Sequence, residues 1–167
     1  METPKVATNL CPYCGSEVVL GYANPSPTRI FGRTLKPRAA LEDMRCPQRG
    51  QFLWCAVKRL DEVTVLTFLP GMILNSVEGV RVNDLALAIG GVLWVVADLS
   101  HFQVIPSFLL GTLLTLHLRL AKAGGGLKLC GLSPEVLSAV KVTSLDHVFD
   151  IYEDEASALA AGGLGVG

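Results

Sequence analysis

Five cysteines carry the most specific chemistry in this chain of 167 residues. They stand at Cys11, Cys14, Cys46, Cys55 and Cys130. The first two belong to the pentapeptide CPYCG, whose tight turn can present two thiolates to one metal ion while glycine frees the backbone N–H groups to face sulfur. The first ten residues, METPKVATNL, contain no apolar signal segment, so we expect a cytoplasmic chain whose cysteines are thiols or metal ligands instead of disulfides.

A second pentapeptide, CPQRG at residues 46–50, repeats the pattern with Arg49 where a second cysteine is expected. The pair resembles a zinc ribbon that has lost one ligand, because arginine stays charged and does not coordinate zinc. Three interpretations remain open. The segment is a degenerate ribbon without metal, or a zinc site of Cys11, Cys14, Cys46 and Cys55, or a redox pair of Cys11 and Cys14.

Charge divides the chain near residue 60. Residues 1–60 carry nine Lys or Arg and four Asp or Glu, whereas residues 61–167 carry five and eleven. We therefore predict a zinc-ribbon-like segment with a proline-rich loop over residues 1–60, a domain over 61–162 and a disordered tail over 163–167. The basic residues are dispersed, so we expect no nucleic-acid partner. Residues 24–38 have no periodicity and predict an extended or mobile loop.

Alternating strands and helices are predicted after residue 60. The pattern predicts strands at 62–69, 72–75, 92–99 and 127–132, and helices at 77–89, 107–123, from Ser133 onward and from about Asp154. Such alternation favours an α/β fold, a mixed sheet with helices packed on it. The mean hydropathy of +0.46 is high, but the apolar stretch 99–118 has a polar start and an internal proline, so we expect no membrane insertion.

Residues 92–161 resemble a STAS domain, the fold of bacterial anti-sigma-factor antagonists and of sulfate-transporter tails. The resemblance is carried, in order, by DLS at 98–100, the register from Ser107 to Gly111, AGG at 123–125, LKLCGLSPEV at 127–136 and TSLDHVFDIYEDEASALAA at 143–161. A ribbon-like element ahead of a STAS domain is similar to the arrangement of some bacterial regulatory proteins.

The resemblance implies partner switching in transcription regulation. Members bind an anti-sigma factor, often a serine kinase, and phosphorylation of a serine at the start of the second helix breaks that complex. Ser107 occupies the matching position, so the candidate partner-binding residues are Pro106, Ser107, Phe108, Leu109 and Gly111. The family motif Asp-Ser-Ser-Gly is replaced here by Pro106-Ser107-Phe108-Leu109. Ser107 is therefore either a phosphorylation site or only a helix cap whose oxygen accepts a backbone N–H.

No catalytic motif accompanies these features. The chain has no GxSxG nucleophile turn, and Gly124–Gly126 follows a predicted helix where a phosphate loop would precede one. We therefore predict a regulatory protein and not an enzyme. The alternative function is a metal-binding regulatory or scaffold module, in which the ribbon contacts protein or nucleic acid and the STAS fold carries no phosphorylation switch.

Overall fold

The computed structural model of the chain describes residues 8–19, 45–50, 53–69 and 82–161, with backbone alone at 82–84 and 87. Between residues 20 and 44 it describes the backbone of four short strands: β1 (Tyr22–Ala23), β2 (Thr28–Ile30), β3 (Arg33–Leu35) and β4 (Ala40–Leu41). Strand β1 pairs with β4 and β2 with β3, both antiparallel. Strands β2 and β3 lie within residues 24–38, where the sequence predicts an extended or mobile loop, because three-residue strands are too short to show an alternating pattern.

Five further strands form one mixed sheet in the order β5-β6-β7-β8-β9. Their bounds are β5 Cys55–Leu60, β6 Val63–Phe68, β7 Trp94–Asp98, β8 Gly126–Cys130 and β9 Asp150–Tyr152. The pair β5 and β6 is antiparallel and the remaining pairs are parallel. The predicted strand at 72–75 and tail at 163–167 lie outside the described residues.

The described residues also contain four helices and one 3₁₀ turn. They are α1 (Val82–Ile89), α2 (Ser107–Lys122), α3 (Pro134–Val142), the turn Leu145–His147 and α4 (Glu155–Ala160). The structure confirms the predicted fold class, a mixed sheet with helices packed on it. The first part of the predicted helix 77–89 lies outside the described residues.

The two faces of the sheet carry different helices. On β7, Val95 and Ala97 point into the main core and Val96 points to the opposite face, as the alternation of side chains along a strand requires. The main core also contains the buried faces of α1, α2 and α3. The opposite face is covered in part by α4, whose Ala158 is buried in one apolar cluster with Val65 and Val96.

Helix α2 packs on the sheet through one leucine-rich face. Its buried residues, which recur at helical spacing, are Leu109, Leu110, Leu113, Leu116 and Leu120. The helix ends where Gly124 adopts a φ of +90°, a conformation that glycine reaches without a Cβ clash. Within the described part of the chain, no helix combines the length and apolarity needed to cross a bilayer.

Helix α4 is held on the sheet by polar contacts at both ends. Lys58 on β5 and Glu155 form an ion pair of 2.7 Å, and Lys128 Nζ donates to the carbonyl of Ala161 at 3.2 Å. The Lys128 ammonium also lies 5.8 Å and 5.3 Å from the ring centroids of Trp94 and Tyr152. The two rings and the Ala161 carbonyl stabilise the Lys128 side chain, which is only 2% exposed in the middle of β8.

Candidate functional sites

A short connection between β7 and α2 positions Ser107. Asp98 ends the strand, and its Oδ1 accepts the backbone N–H of Ser100 at 2.9 Å. Phe102 and Ile105 are buried in the main core, so the connection is anchored at two points. This anchoring fixes where the helix begins relative to the sheet.

Ser107 is the first residue of α2 and is exposed. Pro106 is the N-cap, with extended backbone angles of −71° and 143°, and the cap makes no side-chain hydrogen bond. The interpretation of Ser107 as a helix cap is therefore wrong: proline occupies the cap, and the serine stands one position inside the helix. Its hydroxyl is exposed at a helix N-terminus, where N–H groups without intrahelical partners favour an anion.

The candidate partner-binding residues differ in exposure. Phe108 is 40% exposed, and Ser107 and Gly111 are also exposed. Pro106 is half-buried, whereas Leu109 is fully buried in the main core. Leu109 therefore does not belong to the surface that a partner could touch, because its side chain faces the sheet.

One exposed apolar residue close to Ser107 in the chain was not predicted from the sequence. Val104, in the β7–α2 connection, is 69% exposed and precedes Ser107 by three residues. Its position follows no periodic pattern, so hydropathy gives no signal for it. We define the Ser107 surface as Val104, Ser107, Phe108 and Gly111.

Three of the five cysteines meet in a second candidate site. The sulfur atoms of Cys11, Cys14 and Cys46 all lie within 4.8 Å of one another, and those of Cys14 and Cys46 are 3.6 Å apart. Two thiolates on one tetrahedral zinc ion are about 3.8 Å apart, given a Zn–S bond of about 2.3 Å. The three-cysteine cluster therefore fits a metal ion, as expected of a zinc-ribbon-like segment.

Local contacts give the sulfur atoms different acidities. Burial raises the pKa of Cys11. Hydrogen bonding between its sulfur and the side chain and backbone of Ser16 lowers the pKa of Cys14 to about 6. Cys11 and Cys46 are buried with Val18 and Leu53 in a small apolar cluster of their own.

Cys55, expected as the fourth ligand, is not part of the three-cysteine cluster. It is fully buried at the start of β5, where its side chain packs in the main core. Burial raises the pKa of its thiol well above the usual range. The structure therefore corrects the expected ligand set to Cys11, Cys14 and Cys46.

The redox interpretation of Cys11 and Cys14 also lacks its structural context. Both are free thiols, and the described residues around them, 8–19, contain turns and isolated bridges but no helix. A thioredoxin-like site requires the CxxC motif between a strand and a helix.

Comparison with known proteins identifies the fold. The STAS domain model matches residues 56–158, more than half of the chain. Among solved structures, the chain resembles an anti-sigma-factor antagonist (STAS) domain protein from Planctomyces limnophilus, with 23% identity and a TM-score of 0.51 over 63% of this chain and 94% of that one. A serine-to-glutamate variant of RsbS from Moorella thermoacetica is 19% identical, with a TM-score of 0.51 over 62% and 91%.

A search of curated protein sequences gives no match. The family model nevertheless covers the whole five-stranded sheet except the first residue of β5. The chain belongs to the STAS domain family. Its structural neighbours include anti-sigma-factor antagonists, and it carries a zinc-ribbon-like cysteine segment ahead of the sheet.

Proposed function

We propose that this protein is an anti-sigma-factor antagonist that binds an anti-sigma factor or a serine kinase through the Ser107 surface. The observation that carries the proposal is an exposed hydroxyl at the first residue of α2, flanked by the exposed apolar side chains of Val104 and Phe108. The structural neighbour from Planctomyces limnophilus is an anti-sigma-factor antagonist, which supports the proposal. The function is binding and not catalysis, and we assign it to the cytoplasm.

The Ser107 surface has the chemistry of a small docking site. Aromatic side chains at the centre of an interface contribute more binding energy than their neighbours, and Phe108 is the aromatic residue of this surface. Leu109 and Ile105 are buried beneath it, which holds the backbone of the surface in one conformation. A fixed surface loses less conformational entropy when a partner binds.

Phosphorylation of Ser107 is the proposed switch. A phosphoryl group would add about −1.5 to −2 charges. The free N–H groups at the start of α2 stabilise that charge in the unbound protein. In the complex the same charge would lie beside Val104 and Phe108, where a partner's apolar contacts exclude water and desolvation is costly.

The departures from the family motif change the partner-binding surface more than they change access to the Ser107 hydroxyl. Pro106 replaces the acidic residue and Leu109 replaces glycine, yet Leu109 points into the core and leaves the approach to Ser107 open. Phe108, in place of the second serine, is the residue that adds bulk on the exposed side. We infer that Phe108 selects a partner with an apolar pocket opposite the serine.

Affinity capture tests this proposal. The tagged chain, Ser107→Asp and the matched control Ser138→Asp are each incubated with a lysate of the encoding organism, and captured proteins are identified by mass spectrometry. Ser138 is also an exposed helical serine, but it lies on α3. We expect wild type and Ser138→Asp to recover an anti-sigma factor or serine kinase and Ser107→Asp to lose it. Recovery of that protein by all three chains, or by none, contradicts the proposal.

A second candidate function is a metal-binding regulatory or scaffold module. The three-cysteine cluster favours it, because three thiolates at this spacing fit zinc. In this function the ribbon-like segment contacts protein or nucleic acid and the STAS fold supports it. Metal analysis of the purified protein tests this second candidate, since folded protein without bound metal would contradict it.

A further inference from the structure

The two cysteine pentapeptides adopt the same backbone turn. Gly15 N–H donates to the carbonyl of Cys11 at 2.9 Å, and Gly50 N–H donates to that of Cys46 at 2.8 Å. The closing glycines have φ angles of +72° and +70°. Positions 11–15 and 46–50 therefore correspond one to one, and Arg49 corresponds to Cys14.

The hydrogen bonds to sulfur repeat as well. The backbone N–H of Cys14 bonds to the sulfur of Cys11, and the N–H of Arg49 donates to the sulfur of Cys46 at 3.4 Å. Such N–H···S bonds stabilise a thiolate that binds a metal. The second turn thus keeps the backbone of a metal-binding knuckle although its second ligand has been replaced.

The two turns are also joined side by side. Gln48 Nε2 donates to Ser16 Oγ at 3.4 Å, next to the contact of 3.6 Å between the sulfurs of Cys14 and Cys46. Arg49 stands where a complete second turn would carry its second cysteine ligand, and it is exposed. A tetrahedral zinc ion held by the three cysteines would therefore have its fourth position on the side of Arg49. Cys55 is buried in the main core and does not supply that ligand.

We propose that Cys11, Cys14 and Cys46 bind one zinc ion whose fourth position is open to an external anionic donor, such as a thiolate. Three thiolates and Zn²⁺ carry a net charge of −1, and arginine, which is always protonated, offsets that charge without coordinating. A zinc ion with three protein ligands and one exchangeable position binds small ligands, whereas a four-thiolate structural site does not. The inference rests on the metal-binding candidate function and is independent of the Ser107 surface.

Arg49→Cys is the decisive variant, because the retained turn would place the new thiolate at the fourth position. The matched controls are Cys55→Ala and Cys130→Ala, two fully buried cysteines outside the cluster. Circular dichroism of each variant checks that the chain is folded. Cys14→Ala removes a ligand and is expected to lose the metal.

The experiment loads each chain with zinc for X-ray absorption spectroscopy, and with cobalt for titration with 2-mercaptoethanol. We expect three sulfur neighbours and one lighter donor in wild type and both controls, and four sulfurs in Arg49→Cys. The thiol should shift the cobalt absorption of wild type and leave that of Arg49→Cys unchanged. Folded wild type without stoichiometric metal overturns both the metal-binding candidate and the open site. Four sulfurs in wild type, lost in Cys55→Ala, overturn the open site alone.

Discussion

Leu10 and Val57 exchange two backbone hydrogen bonds. Leu10 N–H donates to the Val57 carbonyl at 2.7 Å, and Val57 N–H donates to the Leu10 carbonyl at 2.9 Å. Val57 lies on β5, the edge strand of the five-stranded sheet, and Leu10 immediately precedes Cys11. The cysteine segment therefore pairs with the sheet edge at Val57, whose backbone groups would otherwise lack a partner strand.

Metal removal should loosen this pairing. A metal ion that joins the two cysteine turns orders the segment in which Leu10 lies, so a chelator should increase the amide exchange rate of Val57. The amide of Val95, on the central strand β7 and fully buried, serves as the internal control. Hydrogen exchange with and without chelator measures both. Equal protection of Val57 in the two conditions would show that the edge is held without metal.

Phe108→Ala should weaken partner binding while leaving the fold intact. The side chain is 40% exposed, so its removal leaves most of the core unchanged, whereas loss of an aromatic interface anchor costs about 1–2 kcal/mol, or about 5- to 30-fold in affinity. Calorimetric titration of the captured partner measures the effect. Val142→Ala is the control, since Val142 is 84% exposed on α3. Equal affinities of the two variants would exclude Phe108 from the interface.

Two glycines near the ends of α2 should respond in opposite directions to alanine. A Cβ at Gly125 would collide with the backbone carbonyl of Leu93, and backbone does not yield as a flexible side chain does. We expect Gly125→Ala to lose about 1–3 kcal/mol of unfolding free energy. Gly111 is helical with open space around its Cβ position, so Gly111→Ala should gain about 0.5–1 kcal/mol. Urea denaturation gives both values, and a stable Gly125→Ala would refute the close approach.

The helix α4 should lose stability in acid. Asp154 Oδ1 accepts the N–H of Ser157 at 2.7 Å, and this hydrogen bond holds the pKa of Asp154 below its usual value of 3.8. A carboxylate with a depressed pKa stabilises the fold above the unfolded pKa, and that contribution is lost as the pH falls through the folded pKa.

Asp154→Asn isolates this effect, because asparagine caps helices as well as aspartate and does not titrate. We expect the urea midpoint of wild type to fall further than that of Asp154→Asn between pH 6 and pH 3. Parallel decreases in the two proteins would rule out the cap as the titrating contact.

The sequence predicts the central elements well, because burial there is reflected in composition. The run 92–99 is apolar except for Asp98, includes Val95 and Val96, and contains β7, which is buried on both faces. Ser133 and Asp154 are N-caps, as their positions before α3 and α4 indicate. The strand β5 is harder to predict, since its second half carries Lys58 and Arg59, and their polar ends mask the pattern of a sheet strand.

The candidate sites depend on tertiary contacts that no local pattern contains. Whether Cys55 joins the other cysteines is decided by which core its strand packs into, and it packs with the main core. The equivalence of Arg49 and Cys14 is visible in the sequence as CPQRG and CPYCG, and the matching turn geometry extends it to the backbone. The buried position of Leu109 follows from the rotation of α2 on the sheet, which sequence spacing near a helix start leaves open.

The affinity of the captured partner for phosphorylated and unphosphorylated chain tests the central claim most directly. The partner kinase or a purified kinase with ATP modifies the chain, mass spectrometry locates the phosphoryl group, and calorimetry measures binding of each form. We predict modification at Ser107 and a loss of measurable binding upon modification. Undiminished affinity of chain fully phosphorylated at Ser107 would contradict the account.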